Sequence, residues 1–157
     1  MTYTEDALVE QPAINLFSEL NWDTVTCWDE IFGSLDDANL ADNPLFFGRE
    51  TRNDVVLFAR LKAALLKLNP DVSKLIIQEA IDEIARDRSA MTPIAANEEV
   101  YGLLTNGYVY ITNAEDEDDC VVRYVDWSSA CNNDFLLCSQ MSISGAIETS
   151  RPDLSGF

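Results

Sequence analysis

Carboxylates are the one abundant reactive group in this chain. It holds 28 Asp and Glu against 10 Lys and Arg, and no histidine. Without histidine there is no imidazole general base, no Ser-His or Cys-His nucleophile pair and no mixed Cys/His zinc site. Two Pro-Asp pairs draw attention, Pro70-Asp71 and Pro152-Asp153. On a strand, such a pair can present the first carboxylate of a Mg²⁺-dependent phosphodiesterase. The metal polarises a phosphoryl oxygen and generates hydroxide from water. That chemistry wants a second carboxylate and usually a lysine, set as Asp/Glu-x-Lys on the following strand. Neither pair is informative alone, because about 0.5 are expected by chance at this composition. Pro70-Asp71 also falls between two helical patterns, where Pro and Asp serve turn chemistry.

Charge is uneven. The net charge is −18, yet residues 49–88 hold eight bases against seven acids, whereas residues 1–48 hold ten acids and no base. A DNA-gripping surface needs a basic patch, and only the middle segment could supply one. The tract "AEDEDD" at 114–119 reads as an exposed acidic loop tip. It lacks the glycine and terminal Glu of an EF-hand calcium loop. Cysteines stand at 27, 120, 131 and 138 without a Cys-x-x-Cys pair, so they read as small buried apolar residues in a reducing compartment.

The elements that must position these groups follow from periodicity and punctuation. A chain of 157 residues with 47% hydrophobic content suits one domain, 1–157. Thr4-Glu5-Asp6 can open a helix, and Pro12 implies a kink or a fresh start with Pro12 in the first turn. Ile14, Phe17 and Leu20 share one face. "WDTVTCW" reads as a short strand and 33–48 as a loop. Thr51-x-x-Asp54 predicts a capping box opening a helix to about Leu68, with Val55, Phe58, Leu61 and Leu65 on one side. Ser73 to Arg86 is a second helix, with Ile77, Ala80, Ile81 and Ile84 at helical spacing. Thr92-Pro93 starts a third, ended by Asn106-Gly107. Strands are expected near 108–112, 120–126 and 134–143, the first two as a hairpin. Helices first and strands later predict an α+β fold, helices on a small, mainly antiparallel sheet. No run long and apolar enough to span a membrane is present. With no basic leader at 1–10, a cytoplasmic protein is expected.

Five blocks in order then carry a resemblance: "YTEDALVEQPAINLFSELNW" (3–22), "FGRETRNDVVLFARLKAALLKLNP" (47–70), residues 74–86, "VRYVDW…NNDFLLCSQMSISG" (122–145) and "RPDL" (151–154). Together they resemble the N-terminal part of the restriction (R) subunit of type I restriction–modification enzymes. The resemblance implies a PD-(D/E)xK-type endonuclease domain that requires Mg²⁺. It implies a helicase-like ATP-driven motor after that domain, and work on DNA in a complex with methylation and specificity subunits. Carried over residue by residue, Asp153 matches the first metal-binding and catalytic Asp. Glu10 lies on the first helix, where such nucleases can place an additional catalytic carboxylate; the plainer reading is a solvent-facing Glu beside a turn. Asn133, Asp134, Phe135 and Gln140 match family positions, and sheet packing and loop capping account for them more simply.

Departures from the family pattern shape the expectation. Beyond Leu154, Ser155-Gly156-Phe157 does not continue the apolar strand, and no Glu-x-Lys follows. No Gly-x4-Gly-Lys-Ser/Thr occurs, so no ATP site is expected. A lone carboxylate holds Mg²⁺ poorly, because the ion wants several oxygen ligands. The expectation is an incomplete PD-(D/E)xK domain, cut short at about 153, that binds Mg²⁺ poorly and does not cleave DNA alone. Loss of the partner strand would leave the 134–143 strand with an open edge, and self-association through it is expected. The alternative is a non-enzymatic acidic module, or DNA mimic, acting on restriction–modification subunits.

Overall fold

A computed structural model describes residues 9–34, 36–111, 119–144 and 149–156. The helix start at 4–6 and most of the acidic tract at 114–119, with its calcium reading, lie outside them. The chain forms two compact units, one from Met1–Leu57 with Asp134–Phe157, the other from Phe58–Asn133. The class is α+β, as expected.

The first unit is discontinuous in sequence. Helix α1 (Gln11–Glu19) carries Pro12 in its first turn, the fresh start allowed by a fixed φ and a missing N–H. Asn21, at φ 63°, turns the chain out of α1, a conformation Asn tolerates better than most residues. Trp22 then meets Phe17 edge-on at 4.8 Å and stacks on Phe135 at 4.7 Å. These ring contacts fix α1 against the sheet. Strand β1 (Asp23–Thr26) follows, then the single turn α2 (Ala38–Ala41) inside the expected loop.

In the second unit, α3 (Phe58–Leu68), α4 (Lys74–Ile84) and α5 (Pro93–Asn106) precede the antiparallel hairpin β2 (Tyr108–Tyr110) and β3 (Cys120–Val122). Ser73 and Thr92 cap α4 and α5 with their side chains, which satisfies otherwise orphaned N–H groups. Gly107 closes α5 at φ 84°, where an added Cβ would lie 2.6 Å from the Val122 carbonyl oxygen; only glycine fits there. Leu65, Ile77, Ala80, Ile81, Val122 and Tyr124 form this unit's core. Buried Asn69 donates to the carbonyls of Leu65 and Arg123, both at 2.9 Å, and accepts from the Arg123 N–H at 2.8 Å. One side chain thus joins the end of α3 to the residue just after β3.

One helix start differs from expectation. Thr51 and Asp54 bond to each other, with Asp54 Oδ2 accepting from the Thr51 N–H at 2.8 Å, but they close a turn and α3 begins only at Phe58. Both residues satisfy the turn locally, so nothing extends the pattern into helix. Val55 stays 49% exposed instead of joining the apolar face.

The last part of the first unit holds β4 (Leu136–Ser139), β5 (Ile143–Ser144), β6 (Thr149–Ser150) and β7 (Leu154–Gly156). β4 runs parallel to β1, Val25 opposite Cys138, and antiparallel to β7, Cys138 opposite Ser155. β5 and β6 pair as a separate hairpin. Three of these four pairings among the described residues are antiparallel; β1–β4 makes the main sheet mixed. All four β4 residues are buried, as befits a central strand covered on both faces. Cys27, Leu57, Leu136, Cys138 and Met141 form the core around it.

Two expectations fall here. The 134–143 strand has no open edge along β4, since β1 and β7 flank it, and self-association through that edge loses its basis. Ser155 and Gly156, expected to leave the strand pattern, belong to β7. Gly156 can do so because it lies under Trp22, where an added Cβ would come within 3.3 Å of the indole. The cysteines divide as well: Cys27 and Cys138 are buried, whereas Cys131 is exposed. The Cys138 thiol beside it and burial together push the Cys27 thiol far up, so it stays protonated.

Arg49 organises the loops of this unit. Its side chain is fully buried, pairing with Glu30 at 2.8 Å and donating to the carbonyls of Asp54 at 2.6 Å, Arg52 at 3.1 Å and Ser142 at 2.7 Å. Burial pushes the Glu30 carboxyl up, against the opposing pull of Arg49. Glu30 Oε1 has no partner among the described residues.

Candidate functional site

The site forms where the two ends of the first unit meet β4. In register, Ser139 faces Leu154, so Gln140 faces Asp153 one step on. The Gln140 N–H donates to the Asp153 carbonyl at 3.0 Å and extends the ladder by that step. Gln140 itself stands at φ 59°, a left-handed conformation that costs a non-glycine residue about 1 kcal/mol. It breaks the expected 134–143 strand into β4 and β5 and turns the side chain off the sheet.

That side chain joins the two predicted carboxylates. Gln140 Nε2 donates to Asp153 Oδ1 at 3.2 Å, to Glu10 Oε2 at 3.2 Å and lies 3.4 Å from Glu10 Oε1. Glu10 is brought here by a wide π-type turn at Val9–Glu10, just before α1. Its backbone is already helical and its carboxylate caps nothing, so the side chain is free to reach Gln140. Glu10 is 9% exposed, which corrects the reading of a solvent-facing Glu. Gln140 is likewise more than a packing residue. Phe135 does serve sheet packing, through its stack on Trp22. Asn133 serves loop capping, accepting from the Asp126 N–H at 2.8 Å and donating to the Asp126 carbonyl at 3.0 Å.

Beside this cluster opens a pocket of about 550 Å³, lined by Glu10, by Gln11 and Ile14 of α1, by Thr24–Thr26 of β1, and by Trp28, Ser139 and Gln140. Trp28 is 60% exposed, and the Arg151 guanidinium lies 4.6 Å above its ring. A carboxylate, three hydroxyl side chains, two amides and an aromatic face therefore share one opening, and no lysine is among its described lining residues. Trp28, Arg151, Thr24, Thr26 and Ser139 were not anticipated. The Arg-Pro-Asp run was the available signal for Arg151, since it sets the cation two residues before Asp153.

The donor set suits a hard divalent cation in part. Mg²⁺ is commonly held by one or two carboxylates, with water and substrate phosphate completing its shell. Glu10 and Asp153 are two such carboxylates, both reaching the same nitrogen. Among the described residues no group of three or more His, Cys, Asp or Glu comes together, so a fuller protein cage is not built here. The middle segment's bases are committed elsewhere in part: Arg49 is buried with Glu30, and Arg86 and Arg88 pair with Glu83 and Glu99.

No described helix is long and apolar enough to cross a membrane. Comparison with curated proteins gives no match, and comparison with solved structures gives none. The family model of the type I restriction enzyme R protein N terminus matches residues 2–157. With that match over nearly its whole length, the chain belongs to the family of type I restriction enzyme R protein N termini.

Proposed function

We propose that Glu10 and Asp153 form the metal-binding part of a Mg²⁺-dependent DNA phosphodiesterase site, and that this chain alone does not cleave DNA. The observation that carries the reading is the convergence of both carboxylates on Gln140 Nε2. When bound, the cation would polarise a phosphoryl oxygen and lower the pKa of a coordinated water. The chain's own part is to hold two carboxylates on Gln140 beside the pocket, set by the β4–β7 register and by the turn before α1. Arg151 and Trp28 offer a phosphate contact and a flat face for the nucleic acid. The lysine that would orient or deprotonate the attacking water has no counterpart among the described lining residues, which supports inactivity in isolation. In this reading the partners are DNA and the methylation and specificity subunits, in the cytoplasm.

The test is calorimetric titration of the chain with Mn²⁺, alongside supercoiled plasmid incubated with Mg²⁺. One ion should bind, Glu10→Gln and Asp153→Asn should each weaken it about tenfold or more, and the plasmid should stay intact. Undiminished binding in both variants, or cleavage that survives Asp153→Asn, would refute the reading.

A further inference from the structure

We infer that Gln140 is a positioning residue with two states. Its amide nitrogen holds Glu10 and Asp153 together in the cation-free protein; on cation binding the amide turns over and offers Oε1 as a further oxygen ligand. The inference rests on the reading of Glu10 and Asp153 as the cation site.

The first argument is a count of donors. A glutamine amide has two N–H groups, yet Nε2 lies within 3.4 Å of three carboxylate oxygens. Two hydrogens cannot serve three acceptors well. The shortest of these contacts is 3.2 Å, whereas hydrogen bonds to a charged acceptor usually fall at about 2.7–2.9 Å. The amide therefore holds two negative charges with a dipole and satisfies neither fully.

The second argument is what the cluster would do without it. Glu10 is 9% exposed, and a carboxylate that far from water needs a partner. The neutral amide supplies one without adding charge of its own. A divalent cation satisfies the same oxygens far better, so the two compete for one place. Displacing the nitrogen need not expel the side chain. The terminal torsion of glutamine is broad and roughly two-fold, and half a turn exchanges the N–H₂ for the carbonyl oxygen. Amide oxygen is a hard ligand of the kind such cations accept. The backbone stays fixed meanwhile, because the Gln140 N–H remains on the Asp153 carbonyl at 3.0 Å.

The experiment follows the side-chain amide signals of the ¹⁵N-labelled chain through a Mg²⁺ titration. Loss of one signal pair in Gln140→Ala assigns Gln140. Its pair should move and exchange faster with solvent, at the same Mg²⁺ concentration that shifts the Asp153 backbone. In Mn²⁺ calorimetry, Gln140→Met, which keeps the length and loses the oxygen, should weaken binding about tenfold, and Gln140→Glu should restore it. A shift at Asp153 with the Gln140 pair unmoved, or full affinity in Gln140→Met, would overturn the role of Gln140 and leave the cation site standing. No Mg²⁺ response at Asp153 would overturn the site and this inference together.

Discussion

Glu10 and Asp153 share one partner, the amide nitrogen of Gln140, with a carboxylate oxygen of each 3.2 Å from it. Two like charges are held together by a neutral group, which screens their repulsion only in part.

Asp153→Asn keeps an oxygen for Gln140 to donate to and removes one of the two charges. Urea unfolding of the cation-free variant should show stability equal to wild type or higher by up to about 1 kcal/mol, with the cation response lost. A loss of more than about 1 kcal/mol would mean that the Asp153 charge is itself needed to hold the fold.

Arg49 should be far less tolerant. Arg49→Met leaves Glu30 as a buried charge without its partner, and about 3–5 kcal/mol of stability should go in denaturant unfolding. Adding Glu30→Leu should return only part of it. The carbonyls of Asp54, Arg52 and Ser142 would still lack the donor they now share, at about 1–3 kcal/mol for each one left buried. Full recovery in the double variant would show that those three contacts contribute nothing.

Asp126 gives the second unit a handle on pH. The Ser128 hydroxyl, the Asn132 amide and the N–H groups of Ser128 and Ser129 all donate to its carboxylate, holding it down at about 2 against an ordinary 3.8. A carboxyl depressed on folding contributes stability that is present above its unfolded pKa and is lost as pH falls through the folded one. Carbon-detected titration should place its midpoint near 2. Asp126→Asn should narrow the stability gap between about pH 5 and pH 2. A midpoint at the ordinary value would mean these hydrogen bonds do not persist in solution.

Arg151 and Trp28 should register DNA directly. With Ca²⁺ in place of Mg²⁺, duplex DNA should quench Trp28 fluorescence, and the quench should vanish in Trp28→Phe. Arg151→Ala should weaken binding and lower the salt-dependence slope by about 1, the effect of one lost phosphate contact. An unchanged slope would place Arg151 away from the phosphates.

Much of the helical part was legible because its signals are local. Ser73 and Thr92 cap where their hydroxyls stand, Pro12 sits in a first turn, and Ile77, Ala80 and Ile81 bury the face their spacing sets. Thr51 and Asp54 misled for the same reason: a capping pair and a closed turn use the same bonds, and only the chain beyond decides between them. The pairing of β7 with β4 was hidden because Ser155 and Gly156 have weak strand preference; a neighbouring strand and the Trp22 ring hold them there, and neither is local. Gln140 was read as packing because nothing in "CSQMS" announces a left-handed residue. The two carboxylates were found through the resemblance, but what brings them together depends on strand register, which one sequence does not print.

The discontinuity of the first unit has a consequence for the making of the protein. Glu10 leaves the ribosome before Phe58–Asn133, and its partners Gln140 and Asp153 come after the whole of that stretch has been synthesised. The second unit's residues are contiguous, so its core can close while β1 still lacks β4. Until Gln140 and Asp153 have emerged, Glu10 stands in the nascent chain without the partners it has in the fold: the cluster can form only after the second unit's residues have been made.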